Sequence, residues 1–179
     1  RGAVVIVDEA YVDFGAESAV CLTQKYDNIL VLQTLSKSRS LAGGRLGVGI
    51  GSPEIIADIH TLRYSTNPYN VNRMTQAAGI GAFIDKDYFE SCRKTVMENR
   101  AFTKKELEKL GFNVTDSKAN FVLAESPDIS GKELYLALKE RGILIRYLGM
   151  PRIENYNRIT IGSMDEMQSL VNEIKDILG

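Results

Sequence analysis

Lys37 stands in the run Thr34-Leu35-Ser36-Lys37-Ser38, directly after the apolar stretch Ile29-Leu30-Val31-Leu32 and before Leu41-Ala42-Gly43-Gly44-Arg45-Leu46-Gly47. A second apolar stretch, Val4-Val5-Ile6-Val7, ends in Asp8-Glu9-Ala10-Tyr11. An amine and a carboxylate thus each follow a predicted buried strand, and ligands of open α/β sheets gather at the carboxyl ends of strands. Lysine can condense with an aldehyde to a Schiff base, and an acid can keep a pyridinium nitrogen protonated. Those two functions are what a pyridoxal phosphate site requires.

The elements that must position these groups can be read from periodicity and punctuation. Residues 3–8 and 29–33 form near-continuous apolar runs, the pattern of a parallel sheet covered on both faces, and 46–50 predict another strand. The Gly47-x-Gly49-x-Gly51 spacing is a poor dinucleotide loop, because its glycines lie within the strand rather than between a strand and a helix. Pro53 suits a first helical turn, and Ile55, Ile56, Ile59 and Leu62 recur at helical spacing. That helix should end before Asn67-Pro68, since a residue preceding proline resists the α conformation. A second helix is expected over 71–83 and a long one over 86–110, stopped by Gly111.

Beyond Gly111 the pattern changes to short strands, 112–115 and 120–124, then 143–147 and 158–162. Ser130-Gly131-Lys132-Glu133 and Ser163-Met164-Asp165-Glu166 each have the capping-box spacing that opens a helix. The first of these helices is stopped by Gly142; the last carries Met167, Leu170, Val171, Ile174, Ile177 and Leu178 on one face. The expected architecture is α/β. Residues 1–86 form the C-terminal part of a mostly parallel-sheet, cofactor-binding large domain. Residues 87–179 form a bridging helix and a small α+β C-terminal domain.

Composition fits an ordinary globular protein: 179 residues, 44% hydrophobic and 25% charged, enough for one large domain or two small ones. A formal net charge of -1 gives no electrostatic reason to expect nucleic acid or an anionic membrane as partner. The apolar runs are strand-sized, so no membrane span is predicted, and the first residues lack the order of a secretory signal. Cys21 and Cys92, with no CxxC pair, predict a reduced cytoplasmic protein with buried thiols and no structural zinc. Arg1 in place of an initiating Met, and an opening almost directly on a strand with no neighbour on one side, lead to the expectation of a fragment.

Four segments together carry a resemblance: Asp8-Glu9-Ala10-Tyr11; Thr34-Leu35-Ser36-Lys37 with Leu41-Ala42-Gly43-Gly44-Arg45; Pro68-Tyr69-Asn70-Val71-Asn72; and Asn157-Arg158-Ile159-Thr160-Ile161-Gly162. In order and spacing they resemble the fold-type I pyridoxal phosphate aminotransferases and, among these, the histidinol-phosphate aminotransferase family. The resemblance covers nearly the whole chain but only the C-terminal half of the family's length.

The resemblance implies roles that agree with the chemistry of the residues. Lys37 would bind the cofactor covalently and then carry the proton between the substrate α-carbon and the cofactor, as base and acid. Asp8 would hold the pyridinium nitrogen and Tyr11 the phenolic oxygen, with Glu9 structural. Ser36 and Arg45, assisted by Ser38, would hold the phosphate, for which a permanently charged, bidentate guanidinium is suited. Arg158 and Arg146 would receive the anionic groups of the substrates, and Asn120 is assigned no chemistry. The ordinary alternatives are a solvated loop lysine, a turn aspartate, a half-buried tyrosine and strand-end arginines. His60 reads as packing or surface, and Lys104-Lys105-Glu106-Leu107-Glu108-Lys109 as a solvated helix face.

The family's N-terminal half would supply a phosphate-binding helix start, a ring stacked on the cofactor and an asparagine near its phenolic oxygen. Its members are homodimers in which the partner subunit lends a residue to the site. The implied reaction exchanges an amino group between L-histidinol phosphate and 2-oxoglutarate, giving imidazole acetol phosphate and glutamate in histidine biosynthesis, with this chain inactive by itself. Within the same class an aromatic-amino-acid aminotransferase or a threonine-phosphate decarboxylase is the alternative. A reading of a different class is a non-catalytic folding and assembly fragment.

Overall fold

The computed structural model describes residues 2–179, leaving Arg1 outside the described residues. The chain divides into two compact units, one reaching to Arg93 and the other running from Lys94 to Gly179. The division falls inside one helix.

The first unit is built on a three-stranded sheet ordered β1-β2-β3, with β1 at Val5–Asp8, β2 at Ile29–Thr34 and β3 at Gly47–Gly51. β1 and β2 are parallel, in register from Val5 opposite Ile29 to Asp8 opposite Leu32. β3 is antiparallel to β2, with Leu30 opposite Gly51 and Thr34 opposite Gly47. Two features differ from the sequence reading. The third strand runs antiparallel in a sheet expected to be mostly parallel; the twelve residues between it and β2 hold a 3₁₀ turn at Ala42–Gly44 and no crossover helix of the kind that usually returns a parallel strand. The expected burial on both faces also fails for β1. Val5 and Ile6 are 49% and 59% exposed, while Ile29, Leu30 and Val31 of the central strand are buried. β1 is the sheet's edge, so its apolar side chains lack the cover that β2 receives.

Two helices complete this unit. In α1, Pro53–Thr66, Pro53 takes the first turn and the Ser52 hydroxyl caps the Ile55 N–H at 3.4 Å. α2, Arg73–Ile84, starts two residues later than periodicity suggested. The Asn72 side chain accepts from the Thr75 N–H at 3.0 Å and so fixes the true start, as a cap residue must lie outside the helix. Three 3₁₀ segments, Val12–Phe14, Ala19–Gln24 and Ala42–Gly44, had no periodic signal. The second of them leaves Cys21 exposed, correcting the expectation of a buried thiol, while Cys92 is half-buried. His60 lies exposed on α1, as a surface residue should.

α3, Lys86–Lys109, runs into the second unit. There β4 (Asn113–Val114), β5 (Phe121–Glu125), β6 (Arg146–Tyr147) and β7 (Asn157–Thr160) form an antiparallel sheet ordered β4-β5-β7-β6. Helices α4, Gly131–Glu140, and α5, Met164–Leu178, open with complete capping boxes at Ser130/Glu133 and Ser163/Glu166. Leu107, Val122, Leu134, Leu138, Ile159, Leu170 and Ile174 form one buried core with Phe112, Ala124, Ile161 and Met167. Met167, Leu170, Val171 and Ile174 are the buried stripe of α5, and each such side chain contributes about 1.5–3 kcal/mol of transfer free energy. The unit mixes helices with an antiparallel sheet, and β4 and β6 are each shorter than the 112–115 and 143–147 expected.

Candidate active site

Strand direction decides what meets at one end of the first sheet. Because β1 and β2 are parallel, their carboxyl ends lie side by side, and the Glu9 N–H continues the pairing by donating to the Leu32 carbonyl at 2.8 Å. Asp8 closes β1, and its Oδ1 accepts from the Ala10 N–H at 3.0 Å, a tight Asx-type turn. β2 delivers Ser36 and Lys37 to the same edge. β3 runs the other way, so the residues before it, not after it, arrive there. The Leu35 N–H donates to the Leu46 carbonyl at 3.1 Å, so the chain just before β3, which carries Arg45, meets the chain just after β2. The antiparallel direction of β3, a strand the sequence predicted without its direction, is thus what brings Arg45 to the lysine's end of the sheet.

Lys37 is exposed, whereas Leu35 and Ser38 on either side are buried. Its ammonium lies 5.8 Å from the centre of the Tyr11 ring, inside the range of a cation–π attraction. Among the described residues it has no ion-pair partner. The Thr34 hydroxyl donates to Ser36 Oγ at 2.9 Å and accepts from the Ser36 N–H at 3.1 Å, stiffening the approach to Lys37. Arg45 occupies the left-handed region, φ 53°, and one guanidinium nitrogen donates to the Ala42 carbonyl at 2.9 Å. That single bond leaves most of its five donors open to an anion.

Two contacts around Lys37 had no local signal in the sequence. The Ser38 hydroxyl donates to Asp13, which commits it to the protein and removes it from the expected phosphate cradle. Arg39 is stacked against two rings, 4.4 Å from the Phe83 centroid and 3.9 Å from that of Phe89, and also donates to the Ala82 carbonyl. Their partners lie 25 and 43 residues away in sequence, beyond any motif.

In the second unit Arg146 of β6 lies directly opposite Arg158 of β7. Cross-strand partners project to the same face, and like charges so placed repel. The Arg158 guanidinium lies 5.3 Å from the Phe121 ring centre, and its Nε is buried without a hydrogen-bond partner. Two facing arginines with an orphaned donor suit an anion. Asn120 contributes its carbonyl, which accepts from the Ile161 N–H at 2.9 Å. A cavity of about 570 Å³ in this unit is lined by Ile143, Leu144, Thr160, Met167 and neighbours, and by neither arginine.

The residues of the first unit fit pyridoxal phosphate by their donor set: an exposed primary amine beside a tyrosine ring, a strand-end carboxylate, a hydroxyl, and an arginine with open donors, all at the end of the sheet where β1 and β2 finish.

Comparison with known proteins agrees with this geometry. Residues 1–174 match the model of the aminotransferase class I and II family, and the chain belongs to that family. It is 50% identical over 176 residues to histidinol-phosphate aminotransferase of Brachyspira hyodysenteriae, covering 98% of this chain and 50% of the relative. The crystal structure of histidinol-phosphate aminotransferase from Clostridium acetobutylicum superposes with a TM-score of 0.89 at 27% identity, covering 98% of this chain and 54% of that one. L-threonine-O-3-phosphate decarboxylase from Porphyromonas gingivalis shares the fold, with a TM-score of 0.80 at 22% identity, covering 97% and 54%. The chain spans about half the length of the curated relatives it matches.

Proposed function

We propose that the protein carrying this chain is a pyridoxal 5′-phosphate-dependent aminotransferase that exchanges an amino group between L-histidinol phosphate and 2-oxoglutarate, in histidine biosynthesis. The observation that carries the reading is the placing of Asp8, Tyr11, Ser36, Lys37 and Arg45 at the end of the first sheet where β1 and β2 finish and β3 begins, with Lys37 beside the Tyr11 ring, on a chain of this family. When bound, the cofactor supplies an aldehyde that condenses with a primary amine and a ring that accepts electron density. Asp8 holds the proton on the ring nitrogen and the Tyr11 hydroxyl donates to the phenolic oxygen. Ser36 and Arg45 hold the phosphate. Lys37 Nζ removes the proton from the substrate α-carbon and returns one to the product, for which the neighbouring ring and buried flanks keep it in place. Arg158 and Arg146 hold the substrate's phosphate or carboxylate, relieving their mutual repulsion.

In this reading residues 1–86 are the C-terminal part of the cofactor-binding domain and 87–179 the bridging helix and small domain. The full-length protein works as a homodimer on small-molecule substrates. Because the relatives are about twice as long, these 179 residues alone are expected not to turn over. No helix among the described residues is long and apolar enough to cross a membrane.

The test is an absorption spectrum with added pyridoxal phosphate, for the chain and for Lys37→Ala, followed by borohydride reduction and peptide mapping. Cofactor trapped on Lys37 supports the reading; equal trapping in Lys37→Ala overturns it. Substrate choice is decided on the full-length protein by competition among histidinol phosphate, aromatic amino acids and threonine phosphate. Amino transfer from the first is expected, and carbon dioxide release from the last would instead favour the decarboxylase branch of the shared fold.

A further inference from the structure

Glu9 sits between Asp8 and Tyr11, yet the cofactor reading gives it no task. It is 8% exposed, an uncommon place for a carboxylate unless its oxygens are satisfied. They are satisfied from three directions. Oε2 accepts from the Ser18 hydroxyl at 2.7 Å and from the Gln33 side-chain amide at 2.9 Å, and Oε1 accepts from the Ala19 N–H. Gln33 lies on β2, four residues before Lys37. Ser18 caps the 3₁₀ helix Ala19–Gln24, its Oγ also accepting from the Val20 N–H at 3.2 Å.

The backbone of Glu9 is held as well. Its N–H donates to the Leu32 carbonyl at 2.8 Å, and its own carbonyl accepts from the Val12 N–H at 3.2 Å, the turn that places Tyr11. One residue therefore ties together the end of the strand carrying Asp8, the turn carrying Tyr11, and the strand leading to Lys37. A carboxylate, with two oxygens and no hydrogens, receives all three donors at once.

We infer that Glu9 is a positioning residue for the proposed cofactor site, setting Asp8 and Tyr11 relative to Lys37 through its buried contact with Gln33, Ser18 and Ala19. The inference rests on the cofactor reading and adds a residue to it. Burial would raise the Glu9 pKa, but the bonds from Gln33, Ala19 and Ser18 together outweigh this and hold it below the ordinary carboxylate value. The three donors thus favour the carboxylate form of the brace.

The experiment uses the full-length protein loaded with pyridoxal 5′-phosphate and compares wild type, Glu9→Ala, Glu9→Gln, the exchanged pair Glu9→Gln/Gln33→Glu, and Ile174→Val as a destabilised control in the other unit. Cofactor affinity, absorption maximum, borohydride trapping at Lys37 and thermal midpoint are read for each. Displacing groups at a reacting centre by a fraction of an ångström has large consequences, so the single Glu9 variants are expected to bind the cofactor about tenfold more weakly, with a shifted absorption maximum. The exchanged pair should recover most of both, since it restores a carboxylate facing an amide. Ile174→Val should lower the midpoint and leave the spectrum alone.

Wild-type affinity and spectrum in the folded single variants would overturn the inference and leave Glu9 a mere fold contact. If a single variant fails to fold, the exchanged pair decides: recovery of folding together with affinity and spectrum upholds the inference, and any other result overturns it. Absence of Lys37-dependent trapping in wild type would instead overturn the cofactor reading, and the Glu9 role with it.

Discussion

The two units solve the same problem with different completeness. The second closes a core on itself: Leu107, Leu134, Leu138, Ile159 and Ile174 are at most 1% exposed, and few large apolar side chains remain at its surface. The first holds nearly all the candidate chemistry but leaves Val5, Ile6, Met74, Ile80, Phe83 and Ile84 exposed, with Met74 at 84% and Ile84 at 73%. Besides its smaller buried set of Phe14, Ile29, Leu30, Val31 and Leu35, it is ordered by directed contacts: the Glu9 hydrogen bonds, the Ser38–Asp13 bond and the stacked Arg39. Apolar packing is non-directional and tolerates small shifts, whereas a site that must hold a lysine, a carboxylate and a tyrosine in fixed relation needs geometry that hydrogen bonds supply.

The contrast can be broken by truncating side chains in each unit. Leu138→Ala or Ile174→Ala should cost about 2–5 kcal/mol in denaturant unfolding, the range for cavities in closed cores. Ile80→Ala, on an exposed face of α2, should stay within about 0.5 kcal/mol. Equal losses would mean that the first unit has a core of similar quality. Glycines give a sharper version. A Cβ on Gly131 would lie 2.3 Å from the Asn155 backbone oxygen, whereas one on Gly79 would meet only the end of the Leu46 side chain, at 2.4 Å. Gly131→Ala should therefore destabilise by about 1–3 kcal/mol, the usual scale of overpacking. Gly79→Ala should be nearly neutral, as helix propensity offsets the displaced leucine. Thermal or denaturant melts of both variants compare them directly.

Smaller effects test the capping and the acid limb. Ser163→Ala removes the hydroxyl that accepts from the Glu166 N–H at 3.3 Å and should cost about 1 kcal/mol, measured by denaturation. For Glu9, a folded-state pKa below the ordinary 4.5 means that its stabilisation is complete above the unfolded value. It is lost as pH falls through the lower folded value, because the unfolded chain binds the proton more readily. Hydrogen-exchange protection of peptides from residues 5–36, relative to the intrinsic rate at each pH, should therefore fall on acidification in wild type and change less in Glu9→Gln. An identical acid response in the two would remove Glu9 from the contacts that hold the first unit.

Much of the local grammar was legible, the start of α2 and the three 3₁₀ segments excepted. The two capping boxes, the stop at Gly111, the helix beginning at Pro53 and the stripe on α5 were readable because caps and periodicity act within one or two turns. The lysine and the strand-end aspartate were proposed from residue types at the ends of recognisable strands, and the tyrosine from the family resemblance. What the motifs could not convey was distance across the fold. Ser38 was expected at a phosphate and is instead bonded to Asp13, 25 residues earlier.

By itself, then, the order of residues determined which segments are helix and strand, which groups could do chemistry, and the family they resemble. Only the tertiary structure decided that β3 runs antiparallel and so brings Arg45 to the edge reached by Lys37, that Arg146 faces Arg158 across two strands, and that Glu9 is braced by Gln33, Ser18 and Ala19. The reason is physical. Side-chain types and turns are settled by interactions over a few residues, but strand direction, register and the partners of buried polar groups are settled by which long-range pairing satisfies every backbone and side-chain donor at once.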